Sequence, residues 1–289
     1  MRTMHSLILL IYCAILFMAG CQGVPEVVRT DSAPEQPPEQ EQPMPPASEI
    51  IPFVRSYVVG YSVENRPIEC IEIGRGEDVI LIIASVHGNE WAGTPIARQL
   101  SQYLQAFYDL SEGRKILIMP AANPDGMANN TRHNTNGVDL NRNFPAENRV
   151  NNAEFGYAEF SEPETRAIDR VIRRHMPDRI ISIHQPLTCI DYDGPGAEAL
   201  ARHMAECSVL PVRKLGPRPG SMGSYCGIDM GIPIITLELP QEASQLPPDW
   251  LWTFYGKLLV ASVIYPEDGC MKKPGTRQLS HPDDRHPGN

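Results

Sequence analysis

Several features that often identify a function are missing from this 289-residue sequence. It has no run of lysine and arginine, and its net charge of -10 with a pI near 5.3 argues against a nucleic-acid partner. The seven cysteines include no Cys-x-x-Cys pair, which argues against a zinc site built from thiolates. Gly220-Ser221-Met222-Gly223 lacks the Gly-x-Ser-x-Gly spacing, and this excludes a serine hydrolase of the nucleophile-elbow type.

The N-terminal apolar run, Leu7 to Ala19, is too short to span a bilayer comfortably. It follows charged residues and ends in Gly20-Cys21, so residues 1–20 resemble a bacterial lipoprotein signal peptide. That resemblance implies cleavage before Cys21 and a lipid on its thiol and new amino terminus. An uncleaved anchor or a plain secretory signal are the alternatives, and both still export the chain. Gln22 resembles the residue of lipoproteins that are sent to the outer membrane, so we expect that location if the cell has one.

Both flanks of the central region have the composition of unfolded chain. Residues 21–50 are rich in Pro, Glu and Gln, and no aromatic residue follows Gly23 there, which predicts a disordered tether between membrane and domain. Residues 267–289 form a polar tail for which we predict no structure. The folded domain is therefore expected over residues 51–266.

Beyond Cys13 and Cys21, the chain has an odd number of cysteines: Cys70, Cys189, Cys207, Cys226 and Cys270. Export would make disulfides between them possible. At least one of the five must stay free or pair between chains, and the sequence does not choose the partners.

The first half of the domain has the pattern of an α/β protein. Ser56 to Ile73 alternates around a turn, which predicts an antiparallel hairpin. A buried strand over Val79 to Val86, a helix over Thr94 to Tyr108 and a second buried strand over Lys115 to Met119 then form a βαβ unit on a parallel sheet. The later expected elements are strands at 178–184 and 233–240 and helices at 162–175, 196–207 and 248–264.

The first buried strand ends in His87-Gly88-Asn89-Glu90. Ligands bind beyond the carboxyl ends of strands in open α/β sheets, so His87 and Glu90 supply two of the three protein ligands of a catalytic zinc. Taken alone, the pair is more often a strand-end histidine and a solvated glutamate. Because Trp91 follows Glu90, no third ligand is available locally and it must come from another strand.

Two later strands carry groups that fit such a site. The strand at 178–184 also ends in a histidine, His184, and parallel strands end at one edge of a sheet. Glu238 lies inside the apolar run of the strand at 233–240, where a carboxylate is costly unless it is paired or functional. His87, Glu90 and His184 then form a two-histidine, one-carboxylate zinc site, and Glu238 is the candidate general base. A structural role for Glu238 is the alternative.

The long Asn- and Gly-rich segment from Pro120 to Phe160 shows almost no periodicity, which is typical of a binding loop. It contains Arg132 and the pair Asn141-Arg142, groups that proteins use to hold carboxylates or a developing oxyanion. Each of them alone is more often a solvated loop residue.

Together these motifs resemble the zinc carboxypeptidase family, over roughly Ser56 to Ile264. The resemblance implies one zinc ion on His87, Glu90 and His184, and Glu238 as general base. It implies a carbonyl-polarising role for Arg132, and a clamp on the substrate's terminal carboxylate for Asn141 and Arg142. It also implies a single α/β domain with a mixed, largely parallel sheet of about eight strands and helices on both faces.

Within that family, the motifs at 123–126, 136–145 and 184–187 look most like bacterial murein peptide amidases. This resemblance implies cleavage of the bond between γ-D-glutamate and meso-diaminopimelate in peptidoglycan peptides. Tyr225 is the candidate for the family's mobile tyrosine that caps the substrate carboxylate. The alternatives are a general carboxypeptidase acting on protein C-termini and a non-catalytic wall-binding lipoprotein. The sequence leaves open the oligomeric state and whether free muropeptides or intact wall is the target.

Overall fold

The computed structural model describes residues 52–267. The predicted signal peptide at 1–20, the tether at 21–50 and all but the first residue of the predicted tail lie outside this part of the chain. Within residues 52–267, every helix is too short or too polar to cross a bilayer.

Seven strands in the described residues form one mixed sheet, in the order β1-β2-β4-β3-β5-β7-β6. The four central strands β4, β3, β5 and β7 run parallel, whereas β1, β2 and β6 pair antiparallel at the two edges. The expected α/β sheet is confirmed, with seven strands described rather than about eight and parallel pairing confined to its centre. The strands are β1 Val54–Tyr61, β2 Pro67–Ile73, β3 Asp78–Ala84, β4 Arg114–Met119, β5 Arg179–His184, β6 Leu187–Asp193 and β7 Ile234–Pro240.

Helices cover both faces of the sheet, as predicted. Five α-helices are described: α1 Gly93–Ala106, α2 Pro124–Asn129, α3 Pro163–His175, α4 Ala197–Ala205 and α5 Pro248–Ile264. Four of them match sequence predictions to within a few residues. The exception is α2, which lies in the long segment that showed no periodicity, because its six residues are too few to produce a helical pattern.

Alternate side chains of the central strands enter two separate cores. Ile80 and Ile82 of β3 point towards α1, α4 and α5, whereas Leu81 and Ile83 point towards α3 and the long segment. These side chains are fully buried on both faces, which is why β3 reads in the sequence as a continuous apolar run. The sheet is thus a rigid platform whose strand ends are fixed from both sides.

The edge strand β6 was not predicted. It pairs with β7 so that Cys189, Asp191 and Asp193 lie opposite Glu238, Thr236 and Ile234. Two of the three residues on that face are buried aspartates, so the apolar alternation expected of a half-buried strand is absent. Because polar residues occupy the inward face of β6, the sequence pattern did not indicate a strand.

The three unpaired cysteines among the described residues are all buried. Cys70, Cys189 and Cys226 are unpaired and buried, whereas Cys207 forms a disulfide. Burial raises the pKa of the Cys70 and Cys189 thiols to about 11. These three free thiols agree with the expectation that at least one of the five cysteines stays free or pairs between chains.

The central strand should dominate the stability of the domain. Ile82 is fully buried in β3, so Ile82→Ala is expected to lower the free energy of unfolding by about 2–5 kcal/mol. Val58→Ala on β1, where the side chain is exposed, should change it by about 0.5 kcal/mol or less. Urea unfolding of both variants measures this difference, and equal losses would contradict the assignment of the core.

Candidate active site

The ends of the parallel strands bring the predicted site residues together. His87 and Glu90 follow β3, His184 ends β5, and Glu238 lies on β7 directly opposite His184 in the sheet register. The four residues are 3%, 6%, 3% and 8% exposed. Because β3, β5 and β7 are neighbours, three chain segments that are distant in sequence meet at one edge.

The turn after β3 is shaped by backbone contact with α2. A Cβ atom on Gly88 would lie 1.9 Å from the carbonyl carbon of Gly126, so no side chain fits at this position. Asn123 fixes the same approach, because its backbone N–H donates to the Ser85 carbonyl and its side-chain amide to the Val86 carbonyl. The Glu90 N–H donates to the His87 carbonyl over 3.1 Å and closes the turn. The turn therefore directs the side chains of His87 and Glu90 to the same point.

Three potential metal ligands converge there. The Nδ1 atoms of His87 and His184 are 3.2 Å apart, and the carboxylate oxygens of Glu90 lie 2.9 Å and 2.8 Å from them. All three donor atoms lie within 4.8 Å of one another. Two nitrogens bound tetrahedrally to zinc would be about 3.4 Å apart, so the group fits a zinc ion.

Asp139 is the functional residue that sequence analysis overlooked. Its Oδ1 atom lies 3.0 Å from His87 Nε2 and accepts the Asn141 N–H over 2.9 Å, and its Oδ2 atom lies 3.0 Å from Arg132 Nη2. A carboxylate on the far nitrogen of a ligating histidine fixes the tautomer and orientation of the ring. The signal was present, since Asp139 lies in the motif that carries Asn141 and Arg142, but nothing local linked it to His87.

Ser182 has the equivalent position at the second histidine. Its hydroxyl lies 2.9 Å from His184 Nε2. When Nδ1 offers its lone pair to a metal, Nε2 carries the hydrogen, and Ser182 can accept it. Both histidines are therefore held through the nitrogen that points away from the metal position.

Charges inside this buried group stabilise one another. Burial alone would raise the pKa of Glu90, but hydrogen bonds with His184 and His87 outweigh it and hold the pKa well below its usual range. The pKa of Asp139 is lowered for the same reason, by His87 and the charges of Arg132 and Arg142. Burial alone would lower the pKa of His87, but Asp139 and Glu90 raise it. The carboxylates thus remain ionised and ready to bind a cation.

A cavity of about 350 Å³ opens beside the ligand group. Arg132, Asn141 and Arg142 line it, as does Glu238. Arg132 Nη1 donates to Glu90 Oε1 over 3.0 Å, and Asn141 Oδ1 accepts the Met222 N–H over 2.9 Å. Burial lowers the pKa of Arg142, which nevertheless keeps a guanidinium in the cavity. Three predicted substrate-contacting residues are therefore brought to one place.

Glu238 is held by few groups. Its Oε2 atom accepts the Leu187 N–H over 3.3 Å, and no ion pair in residues 52–267 involves it. Its carboxylate lines the cavity next to His184. This is the arrangement of a base that is free to exchange a proton with a bound molecule.

The structure does not place Tyr225 where its predicted role requires. The residue lies in a π-helical segment, Gly223–Asp229, that turns its ring away from the cavity and into the core beside α3. The ring packs between Phe144 and Phe160 at centroid distances of 5.8 and 5.9 Å, and its hydroxyl donates to Asp169 over 2.7 Å. Tyr225 is therefore a packing residue in this structure, and its role as a carboxylate cap stays a prediction.

Comparison with known proteins indicates a family of zinc enzymes, in agreement with the proposed metal ligands. Residues 47–194 match the family model described as zinc carboxypeptidase. Murein peptide amidase A from Escherichia coli K12 is 36% identical over 57% of this chain and 72% of its own length, and its counterpart from Vibrio campbellii is 31% identical over 57% and 71%. The solved murein-tripeptide amidase of Escherichia coli O157 is 27% identical, covers 74% of this chain and 93% of its own, and superposes with a TM-score of 0.55.

The contact between Asp139 and His87 predicts a loss of metal affinity on mutation. Asp139→Asn removes the charge that faces the ring and should weaken zinc binding about 10–100-fold. Zinc titration against a competing chelator measures the change. Asp109→Asn, which alters an exposed aspartate outside the cavity, should leave the affinity unchanged, and equal effects of the two substitutions would contradict the role of Asp139.

Proposed function

Since the chain belongs to the zinc carboxypeptidase family, whose members are hydrolytic zinc enzymes, we propose that it cleaves the γ-D-glutamyl–meso-diaminopimelate bond of peptidoglycan stem peptides. The observation that carries this proposal is the set of relatives named murein peptide amidase, which match this chain over most of their own length. The complete His87-Glu90-His184 group beside a polar cavity supports it. The peptide is the partner that we propose, and the oligomeric state is left open.

We assign the zinc ion to His87, Glu90 and His184. Zinc bound there would supply a Lewis acid that lowers the pKa of water and polarises a carbonyl. Asp139 and Ser182 would keep both imidazoles in the ligating tautomer. A Glu238 carboxylate oxygen would take a proton from the attacking water and then give it to the leaving amine, so that the carboxylate ends as it began.

The cationic groups of the cavity would bind the substrate. Arg132 donates to Glu90 of the ligand group, and from there its guanidinium would stabilise negative charge that develops on the carbonyl oxygen. Asn141 and Arg142, on the same short segment, would hold the terminal carboxylate of the departing residue. Contacts of Arg132 with Glu90 and Asp139, and of Asn141 with the Met222 N–H, would keep their orientation fixed before the substrate arrives.

A general carboxypeptidase acting on protein C-termini is the second candidate, because it would use the same zinc, base and carboxylate clamp. Family membership shows a hydrolytic enzyme, so the alternative of a non-catalytic wall-binding lipoprotein is not retained. The choice between the two enzymes depends on the residues on either side of the cleaved bond.

We also propose that the protein is exported and lipid-anchored through Cys21, at the periplasmic face of the outer membrane in a cell that has one. The charged start, short apolar run and Gly20-Cys21 junction support this. The tether from 21 to 50 would then hold the domain away from the bilayer and within reach of the cell wall.

The proposed chemistry predicts which peptide is cut. The zinc-loaded protein should release meso-diaminopimelate from L-Ala-γ-D-Glu-meso-diaminopimelate, and Glu238→Gln should reduce that rate about 10²–10⁴-fold with zinc content unchanged. Mass analysis of the products measures both. A chelator should abolish cleavage, and added zinc should restore it.

Glu242→Gln, an exposed glutamate just after β7, is the matched control and should retain full activity. An acyl-blocked peptide with an ordinary α-linked C-terminus tests the second candidate. Faster cleavage of that peptide than of the tripeptide would favour a general carboxypeptidase, and unchanged turnover in Glu238→Gln would refute the role of Glu238.

The anchor predicts where the protein is found. Cys21→Ser should abolish incorporation of labelled fatty acid and move the protein out of the membrane fraction, because the thiol at the proposed lipidation position is lost. Cys13→Ser, inside the apolar run, should retain the label. Fractionation and labelling of both variants measure this, and a labelled, membrane-bound Cys21→Ser protein would exclude lipidation at Cys21.

A further inference from the structure

One acidic side chain in the cavity has no role in the chemistry above. Asp191 lies on β6 opposite Thr236, two residues along from Cys189, which is opposite Glu238. Residues two apart on a strand share a face and are separated by about 7 Å. Asp191 therefore lies on the floor of the same cavity, about 7 Å beyond the proposed general base.

The carboxylate of Asp191 is buried and forms no ion pair with any of residues 52–267. The residue is 5% exposed, and its Oδ1 atom accepts the Leu215 N–H over 2.8 Å. Among the described residues, no Lys, Arg or His forms an ion pair with it. Burial raises the pKa of Asp191, as expected when a carboxylate loses water, and the charge of Lys214 offsets this only in part.

Asp193, the nearby aspartate on the same strand, shows which kind of group could pair with Asp191. Asp193, on the same strand face, is also buried, but its Oδ1 atom is paired with the Lys214 ammonium group at 3.0 Å. Lys214 approaches from outside the cavity, since it is exposed and does not line it. Lys214 therefore forms a direct ion pair with Asp193, whereas its charge acts on Asp191 without one. Asp191 lines the cavity, where a bound molecule could supply the direct partner.

The guanidinium of Arg218 is a second charged group in this cavity that forms no ion pair with the described residues. Arg218 lines the cavity on the segment before Gly220 and is exposed. Within residues 52–267 it has no ion-pair partner, and its charge contributes to lowering the pKa of Arg142. A side chain that extends from the cleaved bond towards Asp191 therefore meets one unpaired anion and one unpaired cation.

We propose that Asp191 and Arg218 are specificity-determining residues that recognise a departing residue whose side chain ends in both an ammonium and a carboxylate group. Asp191 binds the ammonium group and Arg218 the carboxylate. A four-carbon stem, as in lysine, carries a charged end to this depth. The proposal deepens the proposed function, because meso-diaminopimelate is lysine with a carboxylate on the carbon that bears the side-chain amine.

Binding of free amino acids tests the recognition without requiring cleavage. The probes are meso-diaminopimelate, L-lysine and L-norleucine, which share one backbone and stem length and differ in side-chain charge. Calorimetry on the zinc-loaded protein should rank their affinities in that order, with about tenfold or more between the first and the last, as expected for hydrogen-bonded charge pairs. Equal affinities for the three would overturn the proposal.

Two substitutions separate the contributions. Asp191→Asn retains an oxygen that accepts the Leu215 N–H, so a purely structural role of Asp191 would survive this substitution. If Asp191 binds the ammonium group, Asp191→Asn should remove the higher affinity for lysine and meso-diaminopimelate relative to norleucine. Arg218→Gln should remove only the advantage of meso-diaminopimelate over lysine. Asp109→Asn and Arg213→Gln make the same charge changes at exposed positions outside the cavity and should leave the ranking unchanged. An unchanged ranking in Asp191→Asn would overturn the proposal.

Cleavage distinguishes this inference from the function on which it rests. Tripeptides ending in the three probe residues after γ-D-glutamate should be cut with the same order of kcat/KM as the binding affinities. Failure to cut any of them, with the binding order intact, would reject the proposed bond and leave the recognition standing. Cleavage of all three with equal kcat/KM would support the bond and reject the recognition by Asp191 and Arg218.

Discussion

The buried carboxylate of Asp139 connects the parts of this site. One of its oxygens faces His87 and the Asn141 backbone, and the other faces Arg132. A single charge therefore orients a metal ligand, the proposed carbonyl-polarising arginine and the segment that begins the carboxylate clamp. Such a group is strongly stabilised only while its partners remain in place, so the site is held as one unit rather than as independent side chains.

The fold supplies the positions on which this charge network depends. Three adjacent parallel strands end at the same edge, and both of their faces are covered by packed cores. The edge strand β6 adds a floor beside Glu238. The proposed general base Glu238 on β7 and the proposed recognition residue Asp191 on β6 thus lie on paired strands, which fixes the separation between the bond to be cut and the charged end of the substrate.

Sequence analysis recovered the elements whose burial has a clear period. The apolar run of β3 and the helix after it were predicted to within a few residues, and His87, Glu90, His184 and Glu238 could be paired because parallel strands share an edge. It missed β6, whose inward face carries aspartates. It gave no sign that Tyr225 lies in the core of this structure, within the π-helical segment. It also gave no role to Asp139, because its contact with His87 spans distant positions in the chain. The periodicity of apolar residues in the sequence predicts strands and helices whose buried faces are apolar. It does not predict elements such as β6, whose buried face carries polar side chains.

Burial of the three unpaired thiols among residues 52–267 would have a chemical consequence if the protein is exported as proposed. Oxidants and disulfide exchange act on the thiolate, and Cys70, Cys189 and Cys226 are shielded from solvent with pKa values raised by burial. The folded domain would therefore resist oxidative damage in a compartment that favours disulfides. The unfolded chain has no such protection, so after the proposed export the risk of mispairing would end when folding buries these three side chains.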